Sequence, residues 1–242
     1  MSDLLKYAIE LAAVLLLALG IKGLSKVRSA RGANQLAAVA MALAVAGLLL
    51  NYLSTSGLSL AAWTWIIAGT LVGGVLGAIT AQRVPMTSMP ETVALFNGCG
   101  GMSSLLVALA AALYPAALDA TGPVALVSIV VSVFVGSITF TGSIVAMAKL
   151  QGWLSTPSWM QSKLRHVVNI ALAVAALVGA VEMIRNADSG TGLWLLVVSS
   201  SLLGIGVTLP IGGADMPVVI SLLNSYSGVA AAAAGFVVGS QL

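Results

Sequence analysis

The sequence predicts an all-α, polytopic integral membrane protein, a bundle of eight spanning helices. Hydrophobic residues make up 60% of the 242-residue chain and charged residues only 7%, with a mean hydropathy of +1.09. In soluble domains, charged residues approach about a quarter of the total. The apolar residues also fall into runs long enough to cross a hydrocarbon core, which takes about 20 residues. A soluble globular protein is therefore excluded.

Polar breaks divide the chain into eight apolar segments of spanning length. The predicted spans are residues 4–23, 34–53, 61–81, 89–114, 123–148, 166–184, 193–210 and 216–239. The first run is itself long enough to span, so no cleavable signal is predicted. Because the last run is followed by only a few residues, the chain is expected to stop abruptly after an eighth span.

Basic residues are unevenly divided between the two sets of loops. Only Lys6 and Arg185 lie on one side, whereas eight of the ten follow the first, third and fifth spans: Lys22, Lys26, Arg28, Arg31, Arg83, Lys149, Lys163 and Arg165. Cytoplasmic loops of membrane proteins carry such an excess. We therefore expect a multi-pass protein of the cell inner (plasma) membrane, with its N-terminus outside and its basic loops in the cytoplasm. The net charge of +3 reflects this bias and does not indicate nucleic-acid binding.

The most unusual stretch is 211–228. Asp215, one of only seven acidic residues, follows a glycine pair and precedes a new apolar segment. Aspartate is a favoured N-cap, and Pro217 is tolerated in the first turn of a helix. Asn224 lies nine residues further on, about 13 Å deeper and close to the bilayer midplane. A carboxylate at the surface and an amide near the midplane suggest a polar path, to which we also assign Ser225.

The start of the fourth span echoes the start of the eighth. Ser88-Met-Pro and Asp215-Met-Pro are each followed, at the same spacing, by Leu, by Asn97 or Asn224, and by Gly, at a constant offset of 127 residues. Ser88 and Glu91 also form a Ser-x-x-Glu capping box. Whether inherited or coincidental, the echo predicts two parallel helices with two asparagines at one depth. Buried amides need partners, so these either join helices or orient water along a path.

Other polar residues inside the spans are weaker candidates. Glu10 lies within the first span, and an intramembrane carboxylate is a functional candidate unless an interface keeps it hydrated. Glu182 lies near the outer end of the sixth span and is expected at the surface. Thr141 and Ser143 belong to a hydroxyl-rich run in the fifth span, but such hydroxyls often bond to their own helix.

A second group is predicted at the cytoplasmic end of the sixth span. Arg165 and His166 begin this helix, and Asn169 lies one turn further in, where it could partner the imidazole. His166 is the only histidine, so the chain cannot supply a multi-histidine metal site, and we expect no metal. In the third span, Gly69, Gly73 and Gly77 recur every four residues, a pattern that predicts close helix packing.

Three motifs together resemble the beta subunit of proton-translocating NAD(P) transhydrogenase. They are Ile211-Gly-Gly-Ala-Asp-Met-Pro-Val-Val with Leu223-Asn-Ser-Tyr-Ser-Gly and the alanine run that follows, Arg83-Val-Pro-Met-Thr-Ser-Met-Pro-Glu, and Gly136-Ser-Ile-Thr-Phe-Thr-Gly-Ser. The resemblance implies a membrane proton channel that couples inward proton translocation to hydride transfer from NADH to NADP⁺. It implies that 1–242 is the transmembrane domain, with a ninth helix and an NADP(H)-binding domain expected downstream.

The resemblance also implies partners and roles. NAD(H) and NADP(H) are expected on associated soluble domains, with no cofactor bound by this segment. An alpha subunit with membrane helices and the NAD(H) domain, the NADP(H) domain of the same subunit, the lipid bilayer and a second copy of the complex are the expected partners. Asp215 and Asn224 match family positions linked to proton passage. Asp215 is also assigned, with Arg83, Glu91, Arg165 and His166, to communication with the NADP(H) domain.

Asn97 departs from the family pattern, because many members have a histidine at this position. An amide cannot titrate, so Asn97 would hold water or bond to a neighbour, and the titratable group is expected on a partner helix facing Asn97 and Asn224. Composition and repeats alone leave a rival open, a secondary transporter with a midplane solute or ion site between helices 89–114 and 216–239.

Overall fold

The computed structural model describes residues 3–55, 59–115, 122–186 and 189–238, and in these ranges every long element is an α-helix. The helices are α1 Asp3–Leu24, α2 Ala30–Thr55, α3 Leu60–Arg83, α4 Met89–Leu113, α5 Pro123–Leu150, α6 Leu164–Arg185, α7 Gly190–Thr208 and α8 Met216–Val237. All eight are long and apolar enough to cross a bilayer. The predicted all-α membrane fold is confirmed; residue 239, the end of the last predicted span, lies outside the described ranges.

Two helices, α2 and α7, begin four and three residues earlier than predicted. Helix α2 starts at Ala30, after Ser29, whose backbone carbonyl accepts from Ala33 N–H at 2.9 Å and whose hydroxyl donates to Gly23 O at the end of α1, at 2.7 Å. Ser189 Oγ accepts from Gly192 N–H at 3.1 Å, which caps α7 and allows its glycine-rich first turn to be helical. Hydropathy does not detect such polar or glycine-containing helix starts.

The chain divides into two compact units, one holding α1–α3 and the other α4–α8. In the first unit, α1 and α2 form an antiparallel pair: a Cβ at Gly23 would lie 2.7 Å from Ala33 Cβ, and one at Gly47 would lie 2.7 Å from Ile9 Cγ2. Helix α3 has no buried residue, and none of the described atoms lies within 4 Å of a Cβ built at Gly69, Gly73 or Gly77. The predicted close packing of this stripe is therefore not seen in the described part of the chain.

Helix α5 is the centre of the second unit, since it packs against α4, α7 and α8 while α6 packs on α7. Glycines allow the backbones to approach closely: a Cβ at Gly136 would lie 2.9 Å from Gly101 O, and one at Gly204 would lie 2.7 Å from Ile138 O. Small residues at helix contacts are expected in lipid, where dispersion forces and hydrogen bonds, rather than water exclusion, hold helices together.

Two buried apolar clusters lie at different levels of this unit. One is centred on α4, α5 and α7 around Leu105, Ile129 and Leu196. The other lies at the start of α4 and α8 and contains Ala94, Ala146, Met216 and Ile220. The segment of α5 between Val133 and Ala146 separates the clusters and carries buried hydroxyl groups at Ser137, Thr139 and Ser143. The buried polar groups therefore form a layer between two apolar ones.

Candidate functional site

The echo between the fourth and eighth helices extends to the backbone conformation. A 3₁₀ turn precedes each helix, Met86–Ser88 before α4 and Gly213–Asp215 before α8. Pro85 enters the first turn at φ −68° and ψ 153°, and Gly212 enters the second at φ −67° and ψ 152°. The N–H of Ser88 donates to Pro85 O at 3.0 Å, and that of Asp215 donates to Gly212 O at 3.1 Å. Both pairs of positions differ by 127, as in the sequence.

The predicted side-chain caps are wrong in both copies. Ser88 and Asp215 occupy the N-cap positions, but neither side chain makes a capping hydrogen bond. A capping residue normally has extended dihedrals, whereas Ser88 has φ −105°, ψ 18° and Asp215 has φ −91°, ψ −4° because the 3₁₀ turn runs directly into the helix. The Ser88–Glu91 capping box is accordingly not formed. The carboxylate of Asp215 stays exposed instead of being used by the helix.

Helices α4 and α8 lie in register on α5. The hydroxyl of Ser132 donates to Ser104 O at 3.0 Å and to Ala230 O at 3.3 Å, joining all three helices. A Cβ at Gly100 would lie 3.0 Å from Ser227 Oγ, and these two positions also differ by 127. Because the two helices are parallel, the asparagines three residues before Gly100 and Ser227 lie at the same depth.

Asn97 is buried in the seam between α4 and α5. Its side chain is 8% exposed, and its Nδ2 donates to Ser143 Oγ at 2.9 Å. Thr139 lies one turn from Ser143, and its Cβ is 2.9 Å from a Cβ built at Gly101. Within the described ranges, neither Asn97 Oδ1 nor Thr139 Oγ1 has a hydrogen-bond partner, although both are buried. Such atoms are destabilising by about 1–3 kcal/mol each unless water or another polar group reaches them.

Asn224 has different surroundings from Asn97. Its side chain is exposed on α8, as is that of Ser225, whose hydroxyl donates to Ser221 O of the same helix at 3.3 Å. No hydrogen bond joins the two amides in the described part of the chain. The structure therefore places Asn97 and Asn224 at one depth but does not bring them into one site.

The remaining intramembrane candidates fall at separate places. Thr141 Oγ1 donates to Ser201 O at 2.9 Å and to Ser137 O at 3.0 Å, so it links α5 to α7. Glu91 is half-buried in the first turn of α4, with Oε2 buried and unpartnered among the described residues. Glu10 is half-buried in α1, and Arg83 is exposed at the end of α3.

Three predicted coupling residues share one groove. Asp215, Arg165 and His166 line an open space of about 530 Å³ together with Asn169, Gly206, Val207, Pro210, Ile211 and Gly212. Arg165 Nε donates to His166 Nε2 at 3.3 Å. Asn169 Nδ2 donates to Gly206 O at 3.1 Å, so the predicted pairing of Asn169 with the imidazole is wrong. The groove thus holds a carboxylate, a guanidinium and an imidazole, which are groups that can transfer a proton or attract an oppositely charged partner.

Lys149 has a structural role that the sequence interpretation missed. Its Nζ donates to Thr156 Oγ1 at 2.7 Å, to Leu209 O at 2.7 Å and to Ile211 O at 2.6 Å. From the sequence, Lys149 was interpreted only as one of the basic residues that follow the fifth span. The available signal was a lysine at a helix end, a residue type that often binds terminal carbonyls. The sequence did not show which carbonyls it would reach, because the acceptors belong to a distant part of the chain.

Comparisons with known proteins agree with this architecture. A family model described as "NAD(P) transhydrogenase beta subunit" matches residues 6–242. Two curated relatives named "NAD(P) transhydrogenase subunit beta", from Rhodospirillum rubrum and from a named strain of that species, are each 39% identical over 247 residues. The match covers 100% of this chain and 52% of each relative, so the chain spans about half of their length. The chain is an integral membrane protein that belongs to the NAD(P) transhydrogenase beta subunit family.

Proposed function

We propose that residues 1–242 form the transmembrane proton-translocating domain of a nicotinamide nucleotide transhydrogenase. In this proposal, inward proton translocation is coupled to hydride transfer from NADH to NADP⁺. The observation that carries it is the buried polar layer of Asn97, Thr139 and Ser143, which lies between two apolar clusters in a chain of this family. A purely structural membrane anchor has no need for unpartnered polar atoms at this level.

The nucleotides are assigned to parts of the complex outside this chain. NAD(H) binds on a soluble domain of an alpha subunit, which also supplies membrane helices, and NADP(H) binds on a soluble domain downstream in the same subunit. Two copies of the complex pair in the membrane. No group of three potential metal ligands occurs among the described side chains, and none of the proposed steps uses a metal.

The proton enters from outside and passes the level of Asn97. Neither the amide nor the hydroxyls of Ser143 and Thr139 titrates near neutral pH, so they act by hydrogen bonding. Asn97 Oδ1 and Thr139 Oγ1 are free to accept from water, which relays the proton. The titratable group comes from a helix of the partner subunit, and the exposed amide of Asn224 is available to face it at the same depth.

The proton leaves near Asp215, in the groove that also holds Arg165 and His166. Ionisation of this carboxylate biases how the NADP(H) domain docks on the basic cytoplasmic face, and Arg83 and Glu91 are assigned to communication with the same domain. Coupling requires that protonation and docking each favour the same conformational state, because a ligand shifts an equilibrium only by its differential affinity.

A secondary transporter remains the second candidate, with a solute site between α4 and α8. The close approach of these helices argues against it. At Gly100, one added carbon would already lie 3.0 Å from the hydroxyl of Ser227. A solute-sized site at this level would require the two helices to separate.

The test is proton movement in liposomes that contain the complete complex, with the soluble domains facing the added nucleotides. We expect internal pH to rise only when NADH and NADP⁺ are both present, because protons move toward those domains. Asp215→Asn should abolish most of this change while uncoupled nucleotide exchange on the soluble domains persists. Glu182→Gln is the matched control, since Glu182 is an exposed carboxylate near the opposite end of α6, and it should pump normally.

One result would contradict the proposal, and another would disqualify Asp215→Asn as a test of it. Nucleotide-independent proton or solute flux would favour the transporter. Equal loss of pumping and of uncoupled exchange in Asp215→Asn would mean that the substitution damages folding, not the proton exit.

A further inference from the structure

The chain between α7 and α8 is held at its first residues by a lysine from another helix. The last carbonyls of a helix have no partner within that helix. Beyond the end of α7, Leu209 O and Ile211 O both accept a hydrogen bond from Lys149 Nζ, at 2.7 and 2.6 Å. The hydroxyl of Thr156 accepts from the same ammonium at 2.7 Å and itself donates to Leu209 O at 3.0 Å. Lys149 thereby ties α5 to the α7–α8 connection.

This arrangement differs from that of an ordinary membrane-flanking lysine. Such side chains normally extend toward water, but Lys149 is half-buried and directs its ammonium at three neutral oxygens. An ammonium has three donors, so its hydrogen-bonding capacity is fully used. The negative end of the α7 dipole adds a favourable interaction with the cation.

The connection is also held on its far side. Met216 is fully buried at the start of α8, in the cluster with Ala94 of α4 and Ala146 of α5. Between these two anchors lie only residues 212–215, which contain the 3₁₀ turn Gly213–Asp215. Among the described residues, a Cβ at Gly212 or Gly213 would meet nothing within 4 Å, so the two glycines are open on the side where a side chain would project. The turn also lies near α5, and the anchors at either end contribute to its position.

We propose that Lys149 is a positioning residue that fixes the turn bearing Asp215 and so sets the efficiency of proton coupling. The coupling part rests on the proposed function, whereas the positional part does not. Loss of the ammonium leaves Ile211 O without this donor and Leu209 O with only the Thr156 hydroxyl, and lets the turn move relative to α5. The exposed carboxylate of Asp215 then samples several positions rather than one.

The positional part is tested by spin labelling the complete complex. Cys99 is the only cysteine of this chain, so Cys99→Ser with Ala214→Cys places one label in it, on an exposed residue next to Asp215; cysteines of other parts are replaced likewise. Lys149→Met keeps a long, unbranched side chain and removes its charge. In this variant, we expect the electron paramagnetic resonance spectrum of the label to lose its slow-motion component. Lys149→Arg should restore part of it, because a guanidinium can still donate to the carbonyls. Lys163→Met, at an exposed lysine between α5 and α6, is the control and should leave the spectrum unchanged.

The coupling part is tested on the same Lys149 variants in liposomes, as protons moved per hydride transferred. We expect Lys149→Met to lower this ratio roughly fivefold or more, the lower end of typical coupling between sites, while uncoupled hydride transfer persists. Lys149→Arg should recover part of the ratio, and Arg185→Met, at an exposed cation in the last turn of α6, should match the wild type. If Lys149→Met fails to assemble, Thr156→Val removes one link of the network and should cause the same changes to a smaller extent.

The outcomes separate the two proposals. An unchanged spectrum in assembled Lys149→Met, or in Thr156→Val where that variant replaces it, overturns the positioning role. An altered spectrum with an unchanged proton-to-hydride ratio overturns the link between position and coupling. If the wild-type complex moves no protons, the proposed function fails, but the spectra still decide whether Lys149 fixes the turn.

Discussion

The two Met-Pro helix starts of this chain share a backbone but not an environment. Both begin with a 3₁₀ turn, and both carry an asparagine at one depth. In α4 the asparagine is buried and bonded to α5, while in α8 it is exposed. Local sequence thus determines how the helix starts and how deep each residue lies. The neighbouring helices determine what each residue contacts.

The glycines that follow show the same contrast. A Cβ at Gly101 would lie 2.9 Å from Phe140 N and Thr139 Cβ, and 3.0 Å from Gly136 O, whereas one at Gly228 would meet nothing within 4 Å among the residues that the structure describes. The α4 copy is therefore an internal element, packed against α5. The α8 copy presents Asn224, Ser225 and Gly228 outward, which suits the partner helix in our proposal.

The largest effect expected from this contrast is on stability. Gly101→Ala forces the backbones of α4 and α5 apart, so we expect it to destabilise the chain by roughly 2–3 kcal/mol. Gly228→Ala is the matched control, and it should be neutral or slightly stabilising because alanine favours helix by about 1 kcal/mol over glycine. The measurement is the unfolding midpoint of the purified chain in detergent. Equal shifts for the two variants would show that the copies are packed alike.

A smaller effect is expected at the hydroxyls. Ser143→Ala removes the acceptor of Asn97 Nδ2 and leaves a buried donor unpaired, which should lower stability by about 1 kcal/mol. Ser225→Ala should change stability by less than about 0.5 kcal/mol, because this exposed hydroxyl bonds to the Ser221 carbonyl of its own helix. Both are read from the same unfolding experiment. A larger loss for Ser225→Ala would reverse the assignment of buried and exposed copies.

The sequence predicted the eight spans because the length of an apolar run is a local property. It also predicted where the second and seventh helices lie, though not their earlier starts at Ala30 and Gly190, the second of which is capped by the Ser189 hydroxyl. The side-chain caps at Ser88 and Asp215 were mispredicted, since a capping residue and a 3₁₀ turn share similar sequence signals. The orientation in the membrane stays a prediction.

The site was predictable in depth but not in contacts. The spacing of Asn97 and Asn224 placed them at one level, but no periodicity in these highly apolar helices showed which amide faces α5. The same limit applies to Lys149, whose acceptors lie 60 and 62 residues away in sequence. Such contacts depend on how helices assemble, and a single sequence contains no direct record of that.

The most direct test of the proton path is proton movement through the buried polar layer of Asn97, Thr139 and Ser143. Liposomes with the complete complex would be followed for internal pH and hydride transfer together, in the wild type and in Asn97→Leu, which is apolar and of similar size. We expect a pH change that requires both nucleotides and is lost in Asn97→Leu, while uncoupled hydride transfer continues. Undiminished pumping by a correctly assembled Asn97→Leu complex would contradict a proton path through this layer.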